Sequence, residues 1–216
     1  MVHSLSLVFL LCIPSAAGLA VLANPIVALV FEHGKFTAFD TMQTANALAA
    51  YAVGLAGYGA IKVLSPAFYA LGDARTPMLI SLCSIAVNYA LNALLVTRFG
   101  HVGLAFSTSG VAMVNFLLLA LIMRRRLGRL EGRKLATTAA KICTAAAAMA
   151  LVAWLVDRSA DTLPLDGLAL SFSRVTAAIV LATLTFYAGC RLLHIEELNE
   201  AANAIGGRLR RLLRRR

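Results

Sequence analysis

Pro77-Met-Leu-Ile-Ser-Leu-Cys-Ser-Ile-Ala-Val-Asn-Tyr-Ala-Leu-Asn-Ala-Leu-Leu-Val96 runs for twenty residues without one Asp, Glu, Lys or Arg. A hydrocarbon core about 30 Å thick needs roughly 20 residues of helix to cross it. The run is continuously apolar rather than alternating, which predicts a helix and not a barrel strand. Five more runs of this kind surround it, near residues 4–31, 41–70, 102–123, 135–156 and 175–192. Ala and Leu dominate them, and both favour helix. Hydrophobic residues make up 60% of the chain and charged residues 14%. With a mean hydropathy of +0.81, the chain is too apolar for a domain with a water-facing surface. The expected fold is all-α: a polytopic membrane bundle of about six transmembrane helices. The first two runs exceed what a bilayer needs, so they must tilt, bend or protrude.

The polar joints divide the chain. Residues 1–124 hold four spans, 125–134 form a basic loop, 135–192 hold two further spans, and 193–216 form a basic tail. The formal net charge of +10 is concentrated in that loop and tail, whereas the joints at 32–40 and 157–174 are slightly acidic. The positive-inside rule puts the loop and the tail in the cytoplasm. Two spans separate them, so they fall on one side, as they must. Residues 72–76 are then cytoplasmic, and 32–40, 97–101 and 157–174 are exported. The Leu- and Arg-rich tail is expected to lie as an amphipathic helix on the cytoplasmic surface. Anchoring to anionic lipid accounts for its charge, so a nucleic-acid partner is not expected. The first run lacks a basic n-region and is too long for a signal peptide. Only about three residues precede it, which suggests a piece of a longer polypeptide or a short amino-terminal tail.

Cys12, Cys83, Cys143 and Cys190 each stand alone in a different apolar run, without metal-ligand spacing. They are expected to be small buried hydrophobes. His3, His33, His101 and His194 sit at span ends. No metal or cofactor is expected. An intramembrane enzyme is disfavoured, since no nucleophile–base pair lies within the spans.

A few residues stand out against the apolar background. Pro14, Pro25 and Pro66 each remove a backbone hydrogen bond, giving either simple kinks or hinges of a moving helix. Lys62 lies inside the second run, at a cost of roughly 2.5–3.5 kcal/mol on insertion scales. It either faces a polar cavity, with Ser65 beside it, or snorkels to the cytoplasmic surface. Gly54, Gly57 and Gly59 allow close helix approach. Asn88 and Asn92 share one helical face at a spacing of four. With Ser107, Thr108 and Ser109 near the start of the next run they offer oxygens for a hydrated path or a small cation, or simply interhelical hydrogen bonds. Asn115 lies further into that run.

Three stretches resemble one family: Pro25-Ile-Val-Ala-Leu-Val-Phe-Glu-His-Gly-Lys-Phe-Thr37, Lys62-Val-Leu-Ser-Pro-Ala-Phe-Tyr-Ala-Leu-Gly-Asp-Ala-Arg-Thr-Pro77 and Gly100-His-Val-Gly-Leu-Ala-Phe-Ser-Thr-Ser109. Together they look like the MurJ/MviN lipid II flippases of the multidrug/oligosaccharidyl-lipid/polysaccharide exporter superfamily. The second stretch is the most specific. The likeness is good over about residues 5–123 and weaker beyond. It implies fourteen spans in the whole protein, in two six-helix lobes plus two extra helices, of which this chain holds the last six. The amino-terminal lobe, with most of the arginines for the lipid-linked pyrophosphate, is then a missing partner.

The resemblance also implies a bacterial inner-membrane location. It implies lipid II, the undecaprenyl-pyrophosphate-linked disaccharide-pentapeptide, as substrate. Bulk membrane lipid is the other expected partner. Lys62 matches a family lysine of the cavity or cytoplasmic gate. Asn88 and Thr108 match a sodium site of some members, but Asn92 replaces its Asp, so weak or absent sodium binding is expected. Another exporter of the superfamily, or a non-transporting scaffold of wall synthesis, are the other readings.

Overall fold

The computed structural model describes residues 2–127, 132–160, 168–195 and 197–198, with backbone alone for 127, 160 and 168–171. Among these, every regular element is an α-helix: α1 Val2–Val21, α2 Ala23–Phe31, α3 Ala38–Ala70, α4 Arg75–Leu127, α5 Gly132–Ala160 and α6 Leu168–Leu192. Most of the tail at 193–216, residues 161–167 of the joint at 157–174, and residues 128–131 of the basic loop lie outside the described residues.

The expected third and fourth spans form one element, α4, bent back on itself at Gly100. That residue has φ 55° and ψ −137°, outside the helical region and outside anything an L side chain adopts comfortably. Hydrogen bonds across the bend prove the reversal. The Asn88 amide lies 3.5 Å from Thr108 Oγ1, whereas twenty residues of straight helix would hold them roughly 30 Å apart. α4 therefore makes two antiparallel passes, 75–99 and 101–127. Counted with α1–α2, α3, α5 and α6, the described residues make six.

The first span bends, as its length and Pro25 lead one to expect: it is two helices, and the break falls at Leu22, between α1 and α2. Pro25 sits in the first turn of α2, where its missing N–H leaves no helical bond unmade. Pro14 lies within α1 and Pro66 within α3, and both helices continue through them. By the i to i−4 pattern, Pro66 leaves the carbonyl of Lys62 without its helical donor. α3 begins with a capping box in which Thr37 and Asp40 satisfy each other's backbone N–H. At 33 residues, roughly 50 Å, it outreaches the hydrocarbon core.

α1 is the seam of the bundle, with α3 and α4 on one flank and α5 and α6 on the other. At one end Leu5 and Phe9 of α1 meet Leu64 and Phe68 of α3, Met123 of α4, Ile142 of α5 and Cys190 of α6. Toward the other end, Leu22 packs with Met149, Ala153, Ala178 and Ala182. Only Cys190 of the four cysteines is buried; Cys12 is half-buried, while Cys83 and Cys143 are exposed on outer helix faces. The expectation of four buried thiols fails because a hydrocarbon solvent does not force a small apolar side chain inward.

Close approach of α3 to its neighbours depends on glycine. A Cβ on Gly54 would lie 2.8 Å from Cα of Ser109, and one on Gly57 would lie 3.1 Å from the Ala112 carbonyl. Ser109 Oγ uses this proximity to donate to the Ala50 carbonyl at 2.8 Å. On its other flank, Gly59 admits Val8 and Cys12 of α1. Small residues replacing a hydrophobic drive is the packing expected in lipid.

Candidate functional site: an uncharged polar groove

The two arms of α4 and the facing side of α3 enclose a groove of about 460 Å³. The first arm contributes Ser81, Ser84, Ile85, Asn88, Tyr89 and Asn92; the second contributes Thr108, Val111, Ala112 and Asn115; α3 contributes Tyr58 and Ile61. No lining residue carries a formal charge.

The three residues expected to form a cation path are brought together, but as a closed chain of hydrogen bonds. Ser107 Oγ donates to Asn92 Oδ1. The Asn92 amide donates to Asn88 Oδ1 at 2.8 Å, the Asn88 amide to Thr108 Oγ1, and Thr108 Oγ1 to the Leu104 carbonyl at 2.8 Å. Each side-chain oxygen a cation would need already accepts a hydrogen. Asn115 is different. It is 8% exposed, and its Oδ1 is buried without a hydrogen-bond partner among the described residues. Leaving such an acceptor unpaired costs about 1–3 kcal/mol, which a small local rearrangement that brings a donor to it would recover.

Lys62 and Ser65 do not line the groove. Lys62 is exposed and Ser65 half-buried. Lys62 follows Tyr58 by four residues, and Ser65 follows Ile61 by four, so both continue the groove-facing side of α3 by about one turn. That turn leads toward the end of the bundle marked by Asp73 and Arg126. The residues that sequence reasoning passed over, Ser81 and Ser84, carry a detectable signal. With Asn88 and Asn92 they recur at helical spacing as one polar face in an apolar run.

The end beyond Lys62 is fastened. Asp73, in the joint after α3, accepts from the Thr76 backbone N–H at 3.0 Å and from its hydroxyl at 2.6 Å. Its carboxylate also lies 2.7 Å from the Arg126 guanidinium. These bonds from Thr76, hydroxyl first, hold the Asp73 carboxyl below its ordinary range, and Arg126 adds a smaller pull. At the opposite end, Arg174 of α6 pairs with Asp157 of α5 at 2.9 Å. There Arg158 also stacks on Trp154, 5.2 Å from the ring centre.

Six apolar helical passes, with amides and hydroxyls on a mostly apolar groove between α3 and the two arms of α4, define a polytopic helical membrane protein. The family model described as "Lipid II flippase MurJ" matches residues 1–186, and the chain belongs to that family. It is 43% identical over 110 residues to the probable lipid II flippase MurJ of Rickettsia prowazekii, covering 51% of this chain and 22% of that one. It is 35% identical over 183 residues to the Rhizobium meliloti counterpart, covering 82% of this chain and 34% of that one. Among solved structures it resembles a lipid II flippase MurJ in an inward closed conformation, with TM-score 0.67 and 25% identity. That likeness covers 86% of this chain and 37% of that one. The chain thus spans between about a fifth and a third of the length of these relatives. The family match also reaches well past residue 123, into α6, further than the sequence motifs alone extend.

Proposed function

We propose that this chain supplies six passes of a flippase that moves lipid II from the cytoplasmic to the periplasmic leaflet. The observation carrying this reading is the family match over residues 1–186. The uncharged groove supports it, since a disaccharide-pentapeptide crossing a bilayer needs hydroxyl and amide partners rather than fixed charge. Transport proceeds by alternating access, with lobes rocking about a hydrated compartment completed by other helices of the flippase. No bond is made or broken. The polyprenyl tail stays in lipid along the apolar faces of α5 and α6.

The Lys and Arg bias places the Asp73–Arg126 end in the cytoplasm. Lys62 and Ser65 then sit between groove and cytoplasm, as a gate that attracts the anionic pyrophosphate. Asn88, Asn92 and Thr108 bind sodium weakly or not at all, because Asn92 supplies an amide where a cation needs a carboxylate. Pro14, Pro25 and Pro66 serve as bending points. Membrane potential is an adequate drive, at about 2.3 kcal/mol per charge per 100 mV.

The test is a chimera in which this chain replaces the matching segment of the Rhizobium meliloti relative, expressed in cells depleted of their own flippase. Lipid II reaching the outer leaflet is the expected result. A chimera that inserts normally yet leaves lipid II inside would overturn the reading in favour of another exported lipid or a scaffold.

A further inference from the structure

At the end of the bundle marked by Arg124 and Arg126, α5 begins beside the segment that follows α6. A pocket of about 180 Å³ lies between them, lined by Lys134, Thr138, Lys141, His194 and Glu197, with Thr137 and Ile195 at its wall. Lys134 and Lys141 are seven residues apart on one face of α5, about 10 Å along its axis. Among the described residues neither forms an ion pair. His194 has φ 50°, and its Nδ1 lies 3.1 Å from the Leu192 carbonyl. A carbonyl only accepts, so Nδ1 carries the hydrogen and Nε2 remains available.

Glu197 is the second observation. It is 9% exposed, it lines the pocket, and no described residue donates to its carboxylate. Its carboxylate oxygens, though unpartnered, are not sealed in the interior; they open on the pocket, where a cation or donor can meet them. The pocket thus offers two ammonium groups and a hydroxyl at one side and an unmet carboxylate at the other. It lies where the apolar run of α5 gives way to charge, the level of lipid headgroups.

We propose that this pocket binds the headgroup of a phosphoethanolamine lipid. Lys134, Lys141 and the Thr138 hydroxyl hold the phosphate, and Glu197 accepts from the primary ammonium, which brings three N–H donors. A choline headgroup has no N–H to give, and a glycerol headgroup has no cation. The site is independent of what the protein transports: it would hold a resident lipid against the last two helices.

The experiment is a titration of the purified full chain in detergent, read by native mass spectrometry. The probes are phosphatidylethanolamine, phosphatidylcholine and phosphatidylglycerol with matched acyl chains. Phosphatidylethanolamine should bind about tenfold more tightly than phosphatidylcholine. Glu197→Gln should erase that preference while leaving phosphatidylglycerol binding in place. The double variant Lys134→Gln, Lys141→Gln should weaken all three. Arg158→Gln, at the opposite end, should change nothing. Soluble phosphoethanolamine alone should bind far more weakly than the lipid; equal affinity would overturn the assignment to a lipid. Equal binding of ethanolamine and choline lipids by the unaltered chain would overturn the proposal outright, whether or not the variants fold. So would a preference that survives Glu197→Gln.

Discussion

Asp73 lies just before the first residue of α4, a 53-residue element, and Arg126 in its last turn, yet their charged groups are 2.7 Å apart. A straight helix of that length would separate its ends by about 80 Å. The ion pair thus closes the hairpin that Gly100 opens, and ties the joint after α3 to the last turn of α4.

This closure should be visible in the pH dependence of stability. The Asp73 carboxyl is held below its ordinary value of 3.8, by Thr76 first and Arg126 last. A depressed folded-state value stabilises above the unfolded value, and that contribution disappears as pH falls through the folded one. At pH 7, Asp73→Asn should lower the melting midpoint by a few degrees. The gap between variant and parent should shrink steadily below pH 3.8. A gap that stays constant into strong acid would show that Asp73 acts by shape and not by charge.

Gly100 and Gly110 give a matched pair. A Cβ on either meets nothing within 4 Å, but only Gly100 has positive φ. Gly100→Ala should therefore destabilise the hairpin by about 1–3 kcal/mol through backbone strain alone. Gly110→Ala should be neutral or stabilising by up to roughly 1 kcal/mol. Urea or thermal unfolding of the two purified variants decides this; equal effects would remove the turn conformation as the cause.

Gly54 and Gly59 differ in what they meet. A Cβ on Gly54 would strike backbone of Ser109 at 2.8 Å, whereas one on Gly59 would strike the ends of the Val8 and Cys12 side chains at 2.7 Å. Backbone cannot rotate away, so Gly54→Ala should cost the larger share of the roughly 1–3 kcal/mol typical of overpacking. Gly59→Ala should be partly relieved by rotamer change. Protease resistance in detergent should fall more for Gly54→Ala, and the reverse order would mean that the α1–α3 seam is the tighter one.

Lys62 tests the gate. In the chimera carrying this chain, Lys62→Ala should leave insertion and melting nearly unchanged, because the side chain is exposed. It should reduce lipid II translocation severalfold, through loss of the one cation on that face of α3. Full translocation by the variant would leave Lys62 as a snorkelling residue only.

Much of this was legible in the sequence. Six runs of bilayer length give six passes, and Gly100 lies in the polar joint where the third run must turn. Asn88 and Asn92 could be placed on one face because helical spacing fixes faces within a span; that Thr108 of the other arm meets them depends on the turn at Gly100. The break at the end of α1 was partly legible, since Asn24-Pro25 follows it and Pro disfavours helix just before itself, though its position at Leu22 was not. Other features were not legible. The exposure of Cys83 and Cys143 was missed because helices in lipid are apolar on every side, which erases the amphipathic stripe that identifies a core face in water. The Asp73–Arg126 pair and the unpaired Asn115 depend on contacts between distant segments, which periodicity does not encode.

The closed hydrogen-bond chain makes Asn92 the most informative single position. Its amide donates to Asn88 and its carbonyl accepts from Ser107, so the set is neutral and self-satisfied. Asn92→Asp removes the donor that occupies Asn88 Oδ1 and puts a negative charge beside it and Thr108. The variant should then bind a small cation through oxygens. Its melting midpoint should rise with sodium chloride but not with choline chloride, by the equivalent of about 1.4 kcal/mol at ten times the dissociation constant. The unaltered chain should melt identically in both salts. A sodium-specific rise in the unaltered chain would show that the amides rearrange to admit the ion, and that the network seen here is only one of two states. If Asn92→Asp gains no sodium response either, the groove lacks the remaining ligands, and its polar face serves a neutral, donor-bearing group instead.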